Sequence, residues 1–260
     1  MRTASTWGTP DAAGFADPLV IELRRRLCDE HGCEAAPHDS LQHALLGSVL
    51  GAAGDPETEV PAWLRTSVPL GIEKPIKSCG IFPETDETQI GPADADNAAY
   101  TAVGAGFSNY ASYAEHAQLA DAELKRELDA GYLEWQRDKR VLERRVGALR
   151  PAKMAVIVKR RADGKVKVRL IHDLRRSGTN QLIKTHERLV LPRLQDVIDC
   201  TLDLLQVAEQ EAREEEVGLE YAVRDFADAF KMLKVDDSEQ RYLSGQAMGG
   251  WFAYRAVLVR

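Results

Sequence analysis

The second half of the chain contains the clearest alternation of hydrophobic and polar positions. Met154–Val158 is a short apolar run, and in Val166–Ile171 apolar and basic residues alternate as far as Leu170. Between these runs lies Ala162–Lys165, whose Asp-Gly pair is typical of a tight turn between antiparallel strands. The pattern therefore predicts a β-hairpin over residues 154–171.

Two longer stretches have their apolar residues at helical spacing. Ala114–Ala130 repeats apolar positions every three or four residues and is followed by Gly131, a residue type that commonly ends helices. Leu191–Gln210 has Pro192 near its start and predicts a second amphipathic helix. The charged stretch Tyr132–Arg145 either extends the first helix or connects it to the hairpin. The expected buried stripe of the second helix consists of Leu194, Val197, Ile198, Leu202 and Leu205.

Two short apolar runs near the end of the chain, Tyr221–Phe226 and Trp251–Val259, predict further strands. The hairpin, the helices and these strands together predict an α+β fold for residues 111–260. Residues 1–110 are rich in Ala, Gly and Pro, and we expect them to form an extension that is partly helical or disordered. The helices predicted in this extension are Pro18–Asp29 and Ser40–Leu50.

The composition is that of an ordinary globular protein, with 44% hydrophobic and 29% charged residues. No apolar run approaches the roughly 18 residues that a membrane-spanning helix needs. The first residues lack the apolar core of a secretory signal, and the 4 cysteines are scattered along the chain. These features predict an intracellular protein, cytoplasmic or nuclear, that is neither secreted nor embedded in a membrane.

The positive charge is concentrated in one part of the sequence. Arg137–Arg193 contains 18 Lys or Arg and 5 Asp or Glu, a local balance of +13, within a chain whose net charge is -7. The remaining residues therefore carry -20. Such a block is expected where one face of a protein meets phosphate groups. A solvated helix face beside a basic hairpin accounts for the charge equally well, and the charge alone leaves both interpretations open.

Asp225 and Asp228 lie at the end of the predicted strand Tyr221–Phe226 and on the turn that follows it. Mg²⁺ prefers oxygen ligands and commonly takes one or two carboxylates together with substrate phosphates. Phosphoryl transfer depends mainly on positioning and on charge neutralisation by such ions. The two carboxylates therefore indicate a candidate magnesium and triphosphate site, whereas a solvent-facing acidic turn is the alternative that these residues alone allow.

Several segments, in the same order along the chain, resemble the reverse transcriptases of retrotransposons and retroviruses. YAVRDFADAFKMLKV is similar to the first palm motif of that family, and MAVIVKRRADGKVKVRLIHDLRRSGTN is similar to its fingers hairpin and the element after it. LVLPRLQDVIDCTLDLL resembles the helix that leads into the palm, and ELDAGYLEW the turn before the fingers. The resemblance runs from about Leu119 to Arg260. It implies the fingers and partial palm of an RNA-directed DNA polymerase that uses Mg²⁺, deoxynucleoside triphosphates and an RNA/DNA template-primer.

The resemblance also implies roles for individual residues. Asp225 would be the catalytic residue that binds the metal ions. Asp228 and Ala229 would form the turn against the incoming triphosphate, and Phe230 would lie under the sugar and exclude a 2′-hydroxyl group. In the fingers, Arg169 would contact the phosphates of the nucleotide, together with either Lys159 or Arg160. Asp173 and Arg175 would brace the fingers and the template strand. The residues around Asn180 depart from the family pattern, which leaves the role of Asn180 open.

The family places a second acidic pair, of the form aromatic-x-Asp-Asp, on a later hairpin of the palm, and the sequence contains no such segment. Asp236 and Asp237 belong by their spacing to the turn after the first palm helix. We therefore expect an N-terminal reverse-transcriptase fragment with little or no polymerase activity of its own. A non-enzymatic nucleic-acid-binding remnant of a retroelement, or an interaction module that retains its sequence, are the alternatives.

Cys28, His31, Cys33 and His38 have side chains that bind zinc in other proteins. Their order is not that of a retroviral zinc knuckle, so reduced thiols at the end of a helix are the favoured interpretation. His172 lies inside a predicted strand, and we expect it to have a structural role.

Overall fold

A three-stranded antiparallel sheet forms the centre of the computed structural model, which describes residues 18–33, 42–85, 107–160, 162–184, 186–211 and 229–258. Its strands are β1 (Leu133–Gln136), β4 (Ser244–Ala247) and β5 (Gly250–Tyr254). They lie in the order β1-β5-β4. Leu133 is opposite Tyr254 at one end of the β1–β5 pair, and Ser244 is opposite Ala253 in the β4–β5 pair.

Two glycines allow this sheet to pack closely against aromatic rings. A Cβ atom added at Gly245 would lie 2.5 Å from Cζ of Phe252, and one added at Gly250 would lie 2.5 Å from Cζ2 of Trp135. Carbon atoms at such distances overlap, so only glycine fits at these positions.

The prediction of a strand over Trp251–Val259 is confirmed in its first part, because β5 ends at Tyr254.

The predicted hairpin is confirmed. Its strands β2 (Lys153–Arg160) and β3 (Val166–Asp173) are antiparallel, and Lys159 lies opposite Lys167 near the tip. Gly164 adopts φ 79°, a left-handed conformation that glycine tolerates best, and the carboxylate of Asp163 accepts a hydrogen bond from the Lys165 amide at 3.0 Å.

One face of the hairpin contributes to the main hydrophobic core. Met154 is 0% exposed, and it packs with Phe252 and Tyr254 from the central sheet. The Ala152 amide donates to the Ser244 carbonyl at 2.7 Å, so the start of the hairpin is also attached to an edge strand of the sheet. The buried residues of this core are Leu124, Leu133, Ala152, Met154, Leu174, Val235, Leu243, Ala247, Phe252 and Tyr254.

The helices partly match the predictions. The expected helix over Ala114–Ala130 is present but is interrupted at His116, and Gly131 follows it with φ 81°. The stretch Tyr132–Arg145 is neither a helix extension nor a plain connector, since it contains β1 and most of a short helix that Asp138 caps. The helices are α1 (Pro18–His31), α2 (His43–Ala53), α3 (Val60–Arg65), α4 (Ala111–Glu115), α5 (Ala117–Asp129), α6 (Lys139–Val146), α7 (Thr179–Leu182) and α8 (Leu194–Glu211).

The predicted burial of the apolar stripe on α8 is wrong in the described structure. Leu194 is 77% exposed and Leu202 is 58% exposed. Val197, Ile198 and Leu205 are exposed by 47%, 43% and 38%. The helix itself forms as predicted, because its local pattern and the cap that Asp196 provides to the Arg193 amide at 2.6 Å favour it. Its apolar face meets no complementary surface among the described residues.

An irregular segment of the N-terminal half, residues 67–74, is attached to residues 234–241. The carboxylate of Glu239, which is 0% exposed, accepts hydrogen bonds from the amides of Leu70, Ile72, Glu73 and Lys74. Lys74 also donates to Asp236 at 2.6 Å. Residues 67–74 are therefore held against the sheet domain by hydrogen bonds of their backbone amides and of Lys74.

The described structure mixes helices and antiparallel sheet, which is the composition of the α+β class. The strand predicted at Tyr221–Phe226 lies outside the described residues.

Candidate functional site

The outward face of the hairpin carries three exposed basic side chains, and the half-buried Lys153 lies on the same face at the base of the hairpin, opposite Asp173. Lys159 and Lys167 are direct cross-strand neighbours, and Arg169 lies on the same face opposite Ile157. All three side chains are exposed, whereas the other face of the hairpin carries the buried Met154. The alternation of strand residues therefore separates a basic surface from an apolar one.

This basic surface is not neutralised by the described part of the protein. Within the described ranges, no carboxylate forms an ion pair with Lys159, Lys167 or Arg169. Like charges directly opposite one another destabilise a strand pair. An anionic group bound between these side chains would remove this repulsion.

The register separates the two basic residues that the sequence leaves as alternatives. Lys159 shares its face with Arg169, but Arg160 is opposite Val166 on the other face. The structure thus brings Lys159 and Arg169 together and places Arg160 apart from them.

Asp173 is the last residue of β3, and Arg175 lies in the turn that follows the strand. The carboxylate of Asp173 accepts hydrogen bonds from the Tyr110 hydroxyl at 2.5 Å and from the Arg176 amide at 2.9 Å. The hydrogen bond to Asp173 and partial burial raise the pKa of Tyr110. Arg175 is exposed and makes no ion pair in the described part of the chain. Asp173 therefore stabilises the base of the hairpin through these hydrogen bonds, while the Arg175 side chain is exposed to solvent.

The turn of the candidate nucleotide site is described from Ala229 onward, and Asp225 and Asp228 lie outside the described residues. Ala229–Met232 forms a short 3₁₀ helix, in which 51% of Phe230 is exposed. Phe230 is therefore not a core residue, although a phenylalanine after a strand often is. Its exposure leaves the ring accessible to a ligand.

The next residue in this turn, Lys231, forms a largely buried ion pair with Glu127 of α5. The two side chains are only 14% and 6% exposed. The second oxygen of the Glu127 carboxylate accepts a hydrogen bond from the hydroxyl group of Tyr254, which is 1% exposed. The Lys231 ammonium group also lies over the Tyr132 ring, 5.6 Å from its centroid.

The hydrogen-bond chain continues from Tyr254 to the hairpin. Nε2 of His172, on β3, lies 3.3 Å from the Tyr254 hydroxyl oxygen. A tyrosine has one hydroxyl proton, and Tyr254 donates it to Glu127, so Nε2 of His172 must be the donor. Desolvation, together with the nearby charge of Lys231, lowers the pKa of His172 to about 4. The imidazole is thus neutral near pH 7, and its predicted structural role agrees with these contacts.

Asp236 and Asp237 stabilise the turn after the 3₁₀ helix. Burial alone would raise the pKa of Asp236, but hydrogen bonds from Lys74 and Ser238 outweigh it and lower this pKa to about 2. Asp237 accepts a hydrogen bond from Gln240 at 2.7 Å. Both carboxylates are therefore engaged within the fold, as the spacing in the sequence predicts.

Among the described residues, no group of three or more His, Cys, Asp or Glu side chains is arranged to hold a metal ion. The described residues include Cys28, His31 and Cys33 at the end of α1, while His38 lies outside the described part. Desolvation and the neighbouring thiol of Cys33 raise the pKa of Cys28 to about 11, so Cys28 is a protonated thiol near neutral pH.

In the part of the chain that the structure describes, no helix is long and apolar enough to cross a membrane.

Three residues of this region were not predicted from the sequence. Lys167 shares the strict alternation that places Arg169, so its position on the basic face follows from the same pattern. Glu127 lies three residues after Leu124 in α5 and therefore falls on the buried face of that helix. Its partner Lys231 is 104 residues away in sequence, and no local pattern indicates that pairing.

No protein-family model, curated protein or solved structure matches this chain.

Proposed function

We propose that this chain forms the fingers and part of the palm of an RNA-directed DNA polymerase. In this proposal it binds an RNA/DNA template-primer and a deoxynucleoside triphosphate with Mg²⁺. The observation that carries the proposal is the exposed basic face of the hairpin, defined by Lys159, Lys167 and Arg169, which has no carboxylate partner among the described residues. The resemblance of the hairpin and of YAVRDFADAF to reverse transcriptases supports the same function.

The hairpin face suits a polyanion for a physical reason. Three cations on one strand pair repel one another, and phosphate oxygens that bind between them remove this repulsion. Arg169 presents a planar group that can bind two phosphate oxygens at once, and Lys159 supplies a point charge beside it. In the proposed site these two residues contact the triphosphate, and Arg160, on the opposite face, does not.

Asp225 would complete the site by holding Mg²⁺ against the triphosphate, and Asp228, Ala229 and the exposed Phe230 would border the nucleotide. Metal ions in such a site neutralise the charge that develops on the transferred phosphoryl group. Two-metal chemistry needs further carboxylates besides Asp225, so ligand binding is the direct test of this chain.

The first experiment measures binding of the 260-residue chain to a poly(rA)·oligo(dT) duplex at several salt concentrations. We expect Lys167→Ala to weaken duplex binding and to reduce the salt slope by about 1 for the lost phosphate contact, whereas Lys159→Ala should mainly weaken the Mg²⁺-dependent binding of dTTP on the duplex. Lys125→Ala is the matched control, because Lys125 is 68% exposed on α5 and lies outside the basic face. Equal losses in all three variants would contradict the proposal.

The second measurement separates a polymerase site from simple nucleic-acid binding. Asp225→Asn should abolish Mg²⁺-dependent binding of dTTP to the chain on this duplex and leave duplex binding unchanged. Binding of the duplex without any Mg²⁺-dependent dTTP binding would instead favour a non-enzymatic nucleic-acid-binding protein.

A further inference from the structure

We propose that Glu127 is a positioning residue of the candidate nucleotide site. Its carboxylate holds Lys231, and with it the turn Ala229–Met232, against β5 and the base of the hairpin. This inference rests on the function proposed above, since the turn matters for binding only if it borders a nucleotide. Glu127 itself lies on a buried face of α5 and would touch no ligand.

The geometry gives each oxygen of the Glu127 carboxylate one donor from a different element. One oxygen receives the Lys231 ammonium group from the turn, and the other receives the Tyr254 hydroxyl group from the central strand of the sheet. A carboxylate that is bonded on both sides cannot rotate without breaking one of these contacts. The Glu127 side chain thereby links the turn to the sheet.

Within Ala229–Met232, the Lys231 side chain is only 14% exposed and Met232 is half-buried, whereas Phe230 is exposed. Backbone hydrogen bonds attach the following chain from Leu233 onward, and the Leu233 carbonyl accepts from the Val257 amide at 3.0 Å. The Lys231 ammonium group also lies over the Tyr132 ring. The buried ion pair with Glu127 is therefore one of the contacts that orient the turn.

The same network reaches the basic hairpin. Tyr254 contacts His172, which is three residues from Arg169 along β3. The network thus supports both the turn and β3, the strand that carries Arg169 on its opposite face. A site that binds a triphosphate between a hairpin and a turn requires such a shared support, because a small displacement of either part separates the binding groups.

The test compares hydrogen exchange of the amides of residues 229–233 in the full chain, at a temperature well below unfolding. We expect Glu127→Gln and Lys231→Met each to raise this exchange at least tenfold, and Lys231→Arg to keep it near the wild-type rate. The double variant Glu127→Gln/Lys231→Met should show no larger increase than either single variant, because both remove the same interaction. The double variant leaves no unpaired buried charge. If a single variant does not fold, the exchange rates of the double variant and the wild-type chain are compared instead.

Asp129→Asn is the matched control. Asp129 forms an ion pair with Lys125 at 3.2 Å on the same helix, but these side chains are 62% and 68% exposed. Removing an exposed pair should leave exchange in the turn and all ligand binding unchanged.

Ligand binding distinguishes positioning from a general loss of structure. In Glu127→Gln, the dissociation constant for dTTP with Mg²⁺ on poly(rA)·oligo(dT) should rise at least tenfold, while the affinity for the duplex alone stays within twofold. Equal loss of both affinities, or unchanged exchange in a folded variant, would overturn the positioning role. If the wild-type chain binds neither ligand, the proposed function fails first, and the positioning role falls with it.

Discussion

The hairpin β2–β3 and the helix α8 have equally clear amphipathic patterns, but only the hairpin buries its apolar face. Met154 on the hairpin is 0% exposed, whereas Leu202 on α8 is 58% exposed. The hairpin packs on Phe252 and Tyr254, residues that lie about a hundred positions away along the chain. Periodicity thus decides which residues share a face, while burial of that face depends on a distant segment that supplies a matching surface.

The two regions also differ in what stabilises them. Burial of apolar surface contributes roughly 25 cal/mol per Å², so the hairpin gains substantially from its packing. In α8 the visible stabilising contacts are local, such as the hydrogen bond of Gln195 with Asp199 at 2.7 Å. Local contacts of this kind on an exposed helix contribute about 0.2–0.5 kcal/mol each. Substitutions in the two regions should therefore have very different effects on stability.

Phe252→Ala should have the largest effect, because it removes a fully buried ring beneath the hairpin. Truncation of a buried phenylalanine typically costs about 3–5 kcal/mol, through lost burial and the cavity that remains. Urea unfolding followed by circular dichroism measures this loss. A cost below about 1 kcal/mol would mean that the hairpin and the sheet do not form one cooperative core.

His172 makes the stability of the hairpin region dependent on pH. Its pKa is about 4 in the folded chain and 6.5 in the unfolded chain, so the unfolded state binds the proton first as the pH falls. Stability is therefore lost between about pH 6.5 and pH 4, by at most about 3 kcal/mol, and this contribution does not change further below pH 4. His172→Phe should remove this part of the pH dependence.

The control for this titration is His186→Gln, because His186 is exposed. The slope of unfolding free energy against pH should remain the same in that variant. If His172→Phe left the slope between pH 6.5 and pH 4 unchanged, the imidazole would not be desolvated in the folded state.

The contrast between the regions also explains which parts of the fold could be predicted. The hairpin and α5 follow from local alternation, helical spacing and turn residues, and both were predicted. Strand β1 was missed, because its four residues form a strand only through pairing with β5, more than a hundred residues later. The exposure of α8 was not predicted, because a local pattern shows that a helix has an apolar face but does not show whether another segment covers that face.

The residues of the candidate site also fall into two groups, those that a local pattern places and those that only the packing of distant segments places. The common face of Lys159 and Arg169 follows from strand alternation and the position of the Asp-Gly turn. Helical spacing places Glu127 on the buried face of α5, but no pattern in the sequence indicates its ion pair with Lys231. Their burial results from the packing of α5, β5 and the turn together, and no single segment contains that information.

The smallest effect is expected for Leu202→Ala in α8, and the same substitution in α5 provides a direct comparison. Leu202 is 58% exposed and so buries little apolar surface, and alanine favours helices slightly more than leucine. The free energy of unfolding should therefore change by no more than about 0.5 kcal/mol. Leu124→Ala, at a position that is 0% exposed, should cost about 2–5 kcal/mol. A loss above 2 kcal/mol for Leu202→Ala would contradict this expectation and would mean that another surface covers α8 in solution. If that loss grew with protein concentration, the covering surface would belong to a second copy of the chain.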